Sequence, residues 1–126
     1  MKSRLSTDSW QVLQALRPNV LVIVPDPQQR THTLDAILNG SRTPVWRCES
    51  GPLSLPDREV GTLVVPDASV LTLDEQRLLL AWAERHRTTQ VVTVTPVPLY
   101  PAVAAGTFLD GLYYRLNVLV ITDEDY

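Results

Sequence analysis

Polar side chains end three apolar runs of this sequence, where a phosphoryl-transfer site would need them. Asp26 and Asp67 each come two residues after an apolar run, and Thr95 ends a third. Acids and a hydroxyl in these places suit an aspartate that accepts a phosphoryl group beside Mg²⁺. Such a site also needs a cation after the last apolar run, which begins at Asn117, because a charge-assisted hydrogen bond holds the phosphoaspartate. Thr122 and acids stand there, and Lys2 is the only lysine, so the sequence leaves this site without its cation.

Histidine and cysteine are too scattered to form a metal or acid–base site. His32 and His86 lie about fifty residues apart, and no Cys/His/Asp cluster has the spacing of metal ligands. No residue near Cys48 in the sequence marks an activated thiol, which favours a small, buried, apolar role for it. No His, Lys or second carboxylate is placed as an acid–base pair. We therefore expect no catalytic residue and no metal.

Composition restricts the partners of the chain. Its 126 residues are predicted to form one domain, residues 1–126. The net charge of −3 and the pI near 5.2 provide no basic face for nucleic-acid phosphates, so direct DNA binding is not expected. The single cysteine cannot form an internal disulfide, and we find neither a signal-peptide pattern nor an apolar run of membrane-spanning length. We expect a cytoplasmic protein that does not contact membranes.

Five short apolar runs predict strands. Four of them are nearly continuous in Val, Ile and Leu, which is typical of strands covered by helices on both faces. The runs are Asn19–Val24, Pro44–Cys48, Gly61–Val65, Gln90–Thr95 and Asn117–Thr122. The sequence thus predicts an α/β fold of three layers, doubly wound around a mostly parallel five-stranded sheet.

Helix signals separate several of these runs. Asp26 precedes a proline at the first helical position, and Gly40 ends the pattern that follows. Thr72 and Glu75 have the spacing of a capping box, which predicts the start of a second helix. An earlier helical pattern over residues 7–17 stops before a proline.

The segment from Gly106 to Val118, which contains "GTF" and "LYYRLNV", closely resembles a motif of sigma-54-dependent transcription activators. These bacterial enhancer-binding proteins carry an AAA+ ATPase domain that ends in "GxFRxDLYYRLNV". In the same order, "GTLVVPD" resembles their Walker B strand, "DEQRLLLAWAE" a following helix and "VTVTPVPL" their sensor strand. "VLVIVPDPQQRTHTLDAIL" occupies the place of their phosphate-binding loop and helix. The resemblance runs from Val20 to Ile121 and implies a P-loop NTPase-like fold.

The resemblance implies a degenerate nucleotide loop. The two motif glycines fall on Val24 and Gln29, a third on Pro27, and the lysine on Arg30. A phosphate-binding loop needs backbone N–H groups facing the anion, and Pro25 and Pro27 remove two of them. The Arg30 guanidinium does not reproduce the compact charge of an ammonium. We expect no bound nucleotide and no cofactor.

The other motifs of the family are also incomplete. Its Walker B acids fall on Pro66 and Asp67, its sensor asparagine on Pro96 and its first arginine on Leu109. Only the second arginine remains, as Arg115. Losing the arginine finger together with the lysine and the metal ligand removes the catalytic groups. The resemblance therefore implies a non-catalytic domain rather than an ATPase.

The chain also departs from the family in length. About twelve residues separate Cys48 from Gly61, too few for the helical insertion that contacts sigma-54 in the family. The sequence ends at Tyr126, before the place of the helical lid and of a DNA-binding domain, so neither is expected.

The resemblance is strongest in the segment that faces the next subunit in the family's rings. We therefore expect a regulatory, protein-binding role in transcription, by self-association as a homo-oligomer or by insertion into a related activator's assembly. The expected interface residues are Tyr114, Arg115 and Asn117. A remnant nucleotide pocket would involve Arg30, Thr31 and Asp67. Two alternatives stay open: a weak nucleotide-binding sensor without hydrolysis, and a receiver-like phosphoacceptor domain.

Overall fold

A computed structural model describes residues 7–49 and 51–122, with side chains from residue 10 onward. Its helices are α1 (Thr7–Leu16), α2 (Pro27–Leu38), α3 (Leu73–Arg85), α4 (Tyr100–Ala104) and α5 (Asp110–Leu116). Its strands are β1 (Val20–Ile23), β2 (Val45–Arg47), β3 (Thr62–Val65), β4 (Gln90–Thr95) and β5 (Leu119–Thr122). All five predicted strands are present, each within a residue or two of its expected bounds.

The strands form one sheet in the order β2-β3-β4-β1-β5, and every neighbouring pair is parallel. The chain thus moves from β1 out to one edge, returns through β3 and β4, and passes β1 to reach β5. Right-handed crossovers in opposite directions must lie on opposite faces of a sheet. The predicted three-layer α/β fold is confirmed, with a sheet that is wholly parallel.

Two apolar layers enclose the sheet. One face packs against α1 and α2 through side chains such as Leu13 and Ile37, and the other packs against α3 and α5 through side chains such as Leu79 and Leu112. The central strand β4 is buried along its whole length. Its near-continuous apolar sequence follows from this double covering.

Local signals start the two main helices where the sequence predicts. The Asp26 carboxylate caps α2, and the C-cap of α2 is Asn39, which precedes Gly40 at φ +81°. At α3 the Thr72 hydroxyl accepts from the Glu75 amide, and the Glu75 carboxylate accepts from the Thr72 amide. The capping box is therefore complete.

Two features of the fold add to the sequence interpretation. The strand order is not the 2-1-3-4-5 of flavodoxin-like sheets, so the sheet does not support the receiver-like alternative. The stretch after β4 contains the short helix α4, for which the sequence analysis found no signal; its Pro101 stands in the first turn, where proline is compatible with a helix. Within the described residues, no helix is long and apolar enough to cross a membrane.

Candidate functional site

The carboxyl ends of β1 and β4 form the topological switch point of the sheet. The connection after β1 leads toward β2, whereas the connection after the adjacent β4 leads toward β5, on the other face. In open α/β sheets, ligands bind in the crevice that such diverging connections leave. The first candidate site is therefore the β1–α2 loop, together with the residues that follow β3 and β4.

The first turn of α2 has little capacity left for an anion. Pro27 has no amide hydrogen, the Gln29 amide donates to the Asp26 carboxylate at 2.9 Å, and the Arg30 amide donates to the Asp26 carbonyl at 2.8 Å. The Val24 amide before the helix donates to the Thr95 carbonyl. An anion-binding helix terminus depends on free amides and positive potential. Here the chain's own carboxylate occupies that position.

The Arg30 side chain forms its hydrogen bonds within the loop that precedes α2. One guanidinium nitrogen donates to the carbonyls of Val24 and Pro25, both at 2.9 Å. The side chain thus braces the loop that precedes its own helix. Thr31, the next residue, is exposed on α2.

Asp67, the third residue of the expected nucleotide pocket, lies after β3 and is likewise used locally. Its carboxylate accepts from the Ser69 amide at 2.9 Å and from the Ser69 hydroxyl at 2.6 Å, which starts the short 3₁₀ turn Ala68–Val70. Because β4 lies between β3 and β1, the two strand ends are about 10 Å apart. In the described part of the chain, no three His, Cys, Asp or Glu residues are grouped to hold a metal ion.

The segment "GTFLD" is held by a buried residue that the sequence analysis did not single out. Gln76 of α3 donates its amide to the carbonyls of Leu71 and Thr107 and accepts from the Leu109 amide at 2.8 Å. Only 1% of Gln76 is exposed. The sequence signal for this residue was a glutamine among the apolar positions of the α3 pattern. The backbone of Leu109, at the family's first arginine position, is thus fixed against α3.

The second candidate site is a groove beside α5. It has a volume of about 390 Å³ and contains charged groups of both signs. Its lining residues are Asn19, Leu80, Glu84, Gly111, Tyr114, Arg115 and Val118. Tyr114 is 62% exposed, and Arg115 is half-buried. The Arg115 guanidinium forms no hydrogen bond to any residue that the structure describes. Asn117 ends α5, its amide donating to the Tyr113 carbonyl, and it does not line the groove.

Asn19 fixes this groove to the sheet. Its side chain accepts from the Val91 amide at 2.8 Å and donates to the Arg115 carbonyl at 2.9 Å. Asn19 precedes β1, so the groove lies at the amino end of the sheet. The expected interface residues and the expected nucleotide-pocket residues therefore lie at opposite ends of the sheet, because Arg30 and Asp67 follow the carboxyl ends of strands. An asparagine directly before a buried strand was the signal for this anchor.

Cys48 is buried, with 6% of its surface exposed, as the sequence predicts. Burial raises the pKa of its thiol to about 11. The thiol is therefore neutral at physiological pH and does not act as a nucleophile there, since reactivity belongs to the thiolate.

No protein-family model and no curated protein sequence matches this chain. Among solved structures, NtrX from Brucella abortus, a sigma-54 enhancer-binding response regulator, is similar in complex with ADP (TM-score 0.70, 16% identity) and with ATP (TM-score 0.67, 14% identity). Each match covers 97% of this chain but only 37% or 36% of NtrX. At this identity, the likeness establishes a fold shared with part of that regulator.

Proposed function

We propose that this chain is a regulatory, protein-binding domain related to sigma-54-dependent activators, and that it neither binds nor hydrolyses ATP. One observation carries the proposal: at the switch point, the Asp26 carboxylate and the Arg30 guanidinium occupy the loop and helix terminus that would hold phosphate. A bound triphosphate would meet a carboxylate in place of free amides. The groove beside α5 is left as the surface through which the domain acts.

The NtrX structures contain ADP and ATP, which favours a weak nucleotide sensor as the second candidate. Calorimetric titration with ATP and Mg²⁺ separates the two. We expect no heat of binding at millimolar ATP, because the anion position is filled by the chain itself. A dissociation constant in the micromolar range would overturn the proposal and support the sensor.

The protein-binding role is tested at the groove. Arg115 is half-buried, and its side chain bonds to no described residue, so its guanidinium is available to a partner carboxylate. We expect Arg115→Ala to weaken association with a second copy or with an intact sigma-54 activator at least tenfold. Sedimentation velocity at several concentrations measures this effect.

Arg58→Ala is the matched control, because it removes an equal charge at an exposed position outside the groove. Both variants should melt close to the parent, since Arg58 is exposed, the half-buried Arg115 guanidinium bonds to no described residue, and such charges contribute about 1 kcal/mol or less to stability. If the two variants associate equally well, Arg115 is not an interface residue.

A further inference from the structure

The groove beside α5 holds one unpaired charge of each sign. Glu84 of α3 and Arg115 of α5 both line it. Their side chains form no ion pair with each other or with any other described residue, whereas Arg77 and Asp74 in the first turns of α3 do pair. Arg115 is half-buried, and its guanidinium would gain a charge-assisted hydrogen bond from a carboxylate that reaches it. Both charges are therefore available to a partner.

The two charges lie at one level of the groove, on opposite sides. Helices α3 and α5 each precede a strand of the parallel sheet, so they run in the same direction. They approach closely at Gly111, where an added β-carbon would lie 3.6 Å from the Leu80 side chain. Glu84 and Arg115 each follow four residues later, about one helical turn along. The groove therefore has an anion on its α3 side opposite a cation on its α5 side.

Exposed apolar surface surrounds these charges. Tyr114 is 62% exposed and Val118 is 63% exposed, and both line the groove. The Tyr114 ring makes an edge contact with the Tyr113 ring at a centroid distance of 5.3 Å, and Tyr113 contacts Tyr100 at 5.9 Å. The exposed ring is thus held in place before a partner binds, which lowers the entropy cost of association. Tyrosine is among the residues enriched in protein interfaces.

A partner for this groove must present charges of both signs in the reverse order. A wholly acidic segment would be repelled by Glu84, and a wholly basic segment by Arg115. The same groove on a second copy meets the requirement, because a two-fold axis that passes between Glu84 and Arg115 exchanges the two sides of the groove. Arg115 of each copy then faces Glu84 of the other, and no like charges are opposed. This charge complementarity selects a second copy as the occupant.

We propose that two copies of this chain associate face to face through the groove beside α5, with reciprocal ion pairs between Arg115 and Glu84 around a two-fold axis. Tyr114 and Val118 of both copies supply the apolar contact. The proposal rests on the proposed function and deepens it, since it names the partner and the arrangement at the same groove. A contact of this kind uses the same surface on both chains, so the assembly stops at two.

Charge reversal tests the reciprocal contact. Glu84→Arg and Arg115→Glu each bring like charges together, and each should weaken self-association at least tenfold in sedimentation velocity. The double variant Glu84→Arg/Arg115→Glu restores opposite charges at both pairs and should associate about as well as the parent. Arg58→Glu, exposed outside the groove, makes the same charge change as Arg115→Glu and should leave association unchanged. A double variant as weak as the single variants would overturn the proposal.

Mixing the two single variants gives a sharper test. Glu84→Arg chains carry two cations in the groove and Arg115→Glu chains carry two anions, so each kind attracts only the other. Each should stay monomeric alone, and an equal mixture should form a dimer with one chain of each kind. Assemblies larger than two chains would indicate a head-to-tail contact and would overturn the two-fold arrangement. If a reversed variant melts far below the parent, Glu84→Gln or Arg115→Ala replaces it in the self-association measurement and should weaken association in the same direction.

Binding to an intact sigma-54 activator separates this proposal from the proposed function. A parent chain that stays monomeric at several hundred micromolar, but binds the activator in a way that Arg115→Ala weakens, would overturn the two-fold contact and support the proposed function. If Arg115→Ala changes neither self-association nor binding to the activator, the groove fails for both proposals.

Discussion

At the carboxyl end of the sheet, the Arg30 guanidinium donates to two carbonyls of its own loop, whereas the Arg115 guanidinium in the groove donates to no described residue. The acids differ in the same way, since Asp26 caps a helix and Glu84 lines the open groove. Polar groups at the first region are satisfied within the chain. Changes there should cost stability without changing association, and changes to the groove side chains that bond to no described residue, such as Arg115, should do the reverse.

Gln76→Ala should have the largest effect on stability. It removes a buried amide that makes three hydrogen bonds and leaves the Leu109 amide without that acceptor. Since each buried, unsatisfied group costs about 1–3 kcal/mol, we expect a loss of about 3 kcal/mol in the free energy of unfolding. Urea unfolding measures it.

Arg77→Ala on the same helix is the control for that variant. Its ion pair with Asp74 is mostly exposed, and the loss should be about 0.5 kcal/mol or less. A loss below 1 kcal/mol for Gln76→Ala would show that the loop before α5 is not held by this amide.

Asn19→Ala tests whether the groove is rigidly joined to the sheet. The change removes the bonds to the Val91 amide and the Arg115 carbonyl, and we expect a loss of about 2 kcal/mol by urea unfolding. Association should also weaken, because α5 loses its anchor. Full stability with weakened association would contradict a structural role for this side chain.

Asp26→Ala should cost about 1 kcal/mol, the usual value of an N-cap. Association should not change, because the loop lies at the carboxyl end of the sheet and the groove lies at the amino end. Gln28→Ala, exposed in the same turn, should be near neutral. Micromolar binding of ATP by Asp26→Ala would show that this carboxylate alone excludes nucleotide.

Glu75 provides the smallest effect and a dependence on pH. Hydrogen bonds from the Thr72 and Leu53 amides hold the pKa of its carboxyl below its ordinary value of 4.5. A carboxyl whose pKa is lower in the folded state than in the unfolded state adds stability at pH values above its unfolded pKa. That stability is lost as the pH falls through the folded pKa. Between pH 7 and pH 3 the free energy of unfolding should fall more steeply for the parent than for Glu75→Gln. Parallel curves for the two proteins would contradict a lowered pKa for Glu75.

Local signals were sufficient to predict several elements. The caps at Asp26 and at Thr72 with Glu75 act within one helical turn, so neighbouring residues determine them. The continuous apolar runs likewise indicated strands covered on both faces. Helix α4 was missed because it is only five residues long and its Pro101, with the prolines that precede it in the sequence, also suits a loop.

The candidate site was less predictable. Arg30 was assigned to a nucleotide pocket by its position in a motif, but its direction depends on carbonyls five and six residues earlier in the folded loop. Of the three residues expected at an interface, Tyr114 and Arg115 line one groove and Asn117 does not, and their role at an interface stays a prediction. The anchors Gln76 and Asn19 were not found, because their partners are up to 96 residues away in the sequence.

The sequence by itself determined the α/β class, the number of strands and the starts of the main helices, because these follow from periodicity and from contacts within a few residues. Only the tertiary structure decided the strand order, the separation of the two candidate regions to opposite ends of the sheet, and the placement of Glu84 and Arg115 in one groove. These features depend on which distant segments pair, and pairing is set by burial over the whole chain rather than by any local motif.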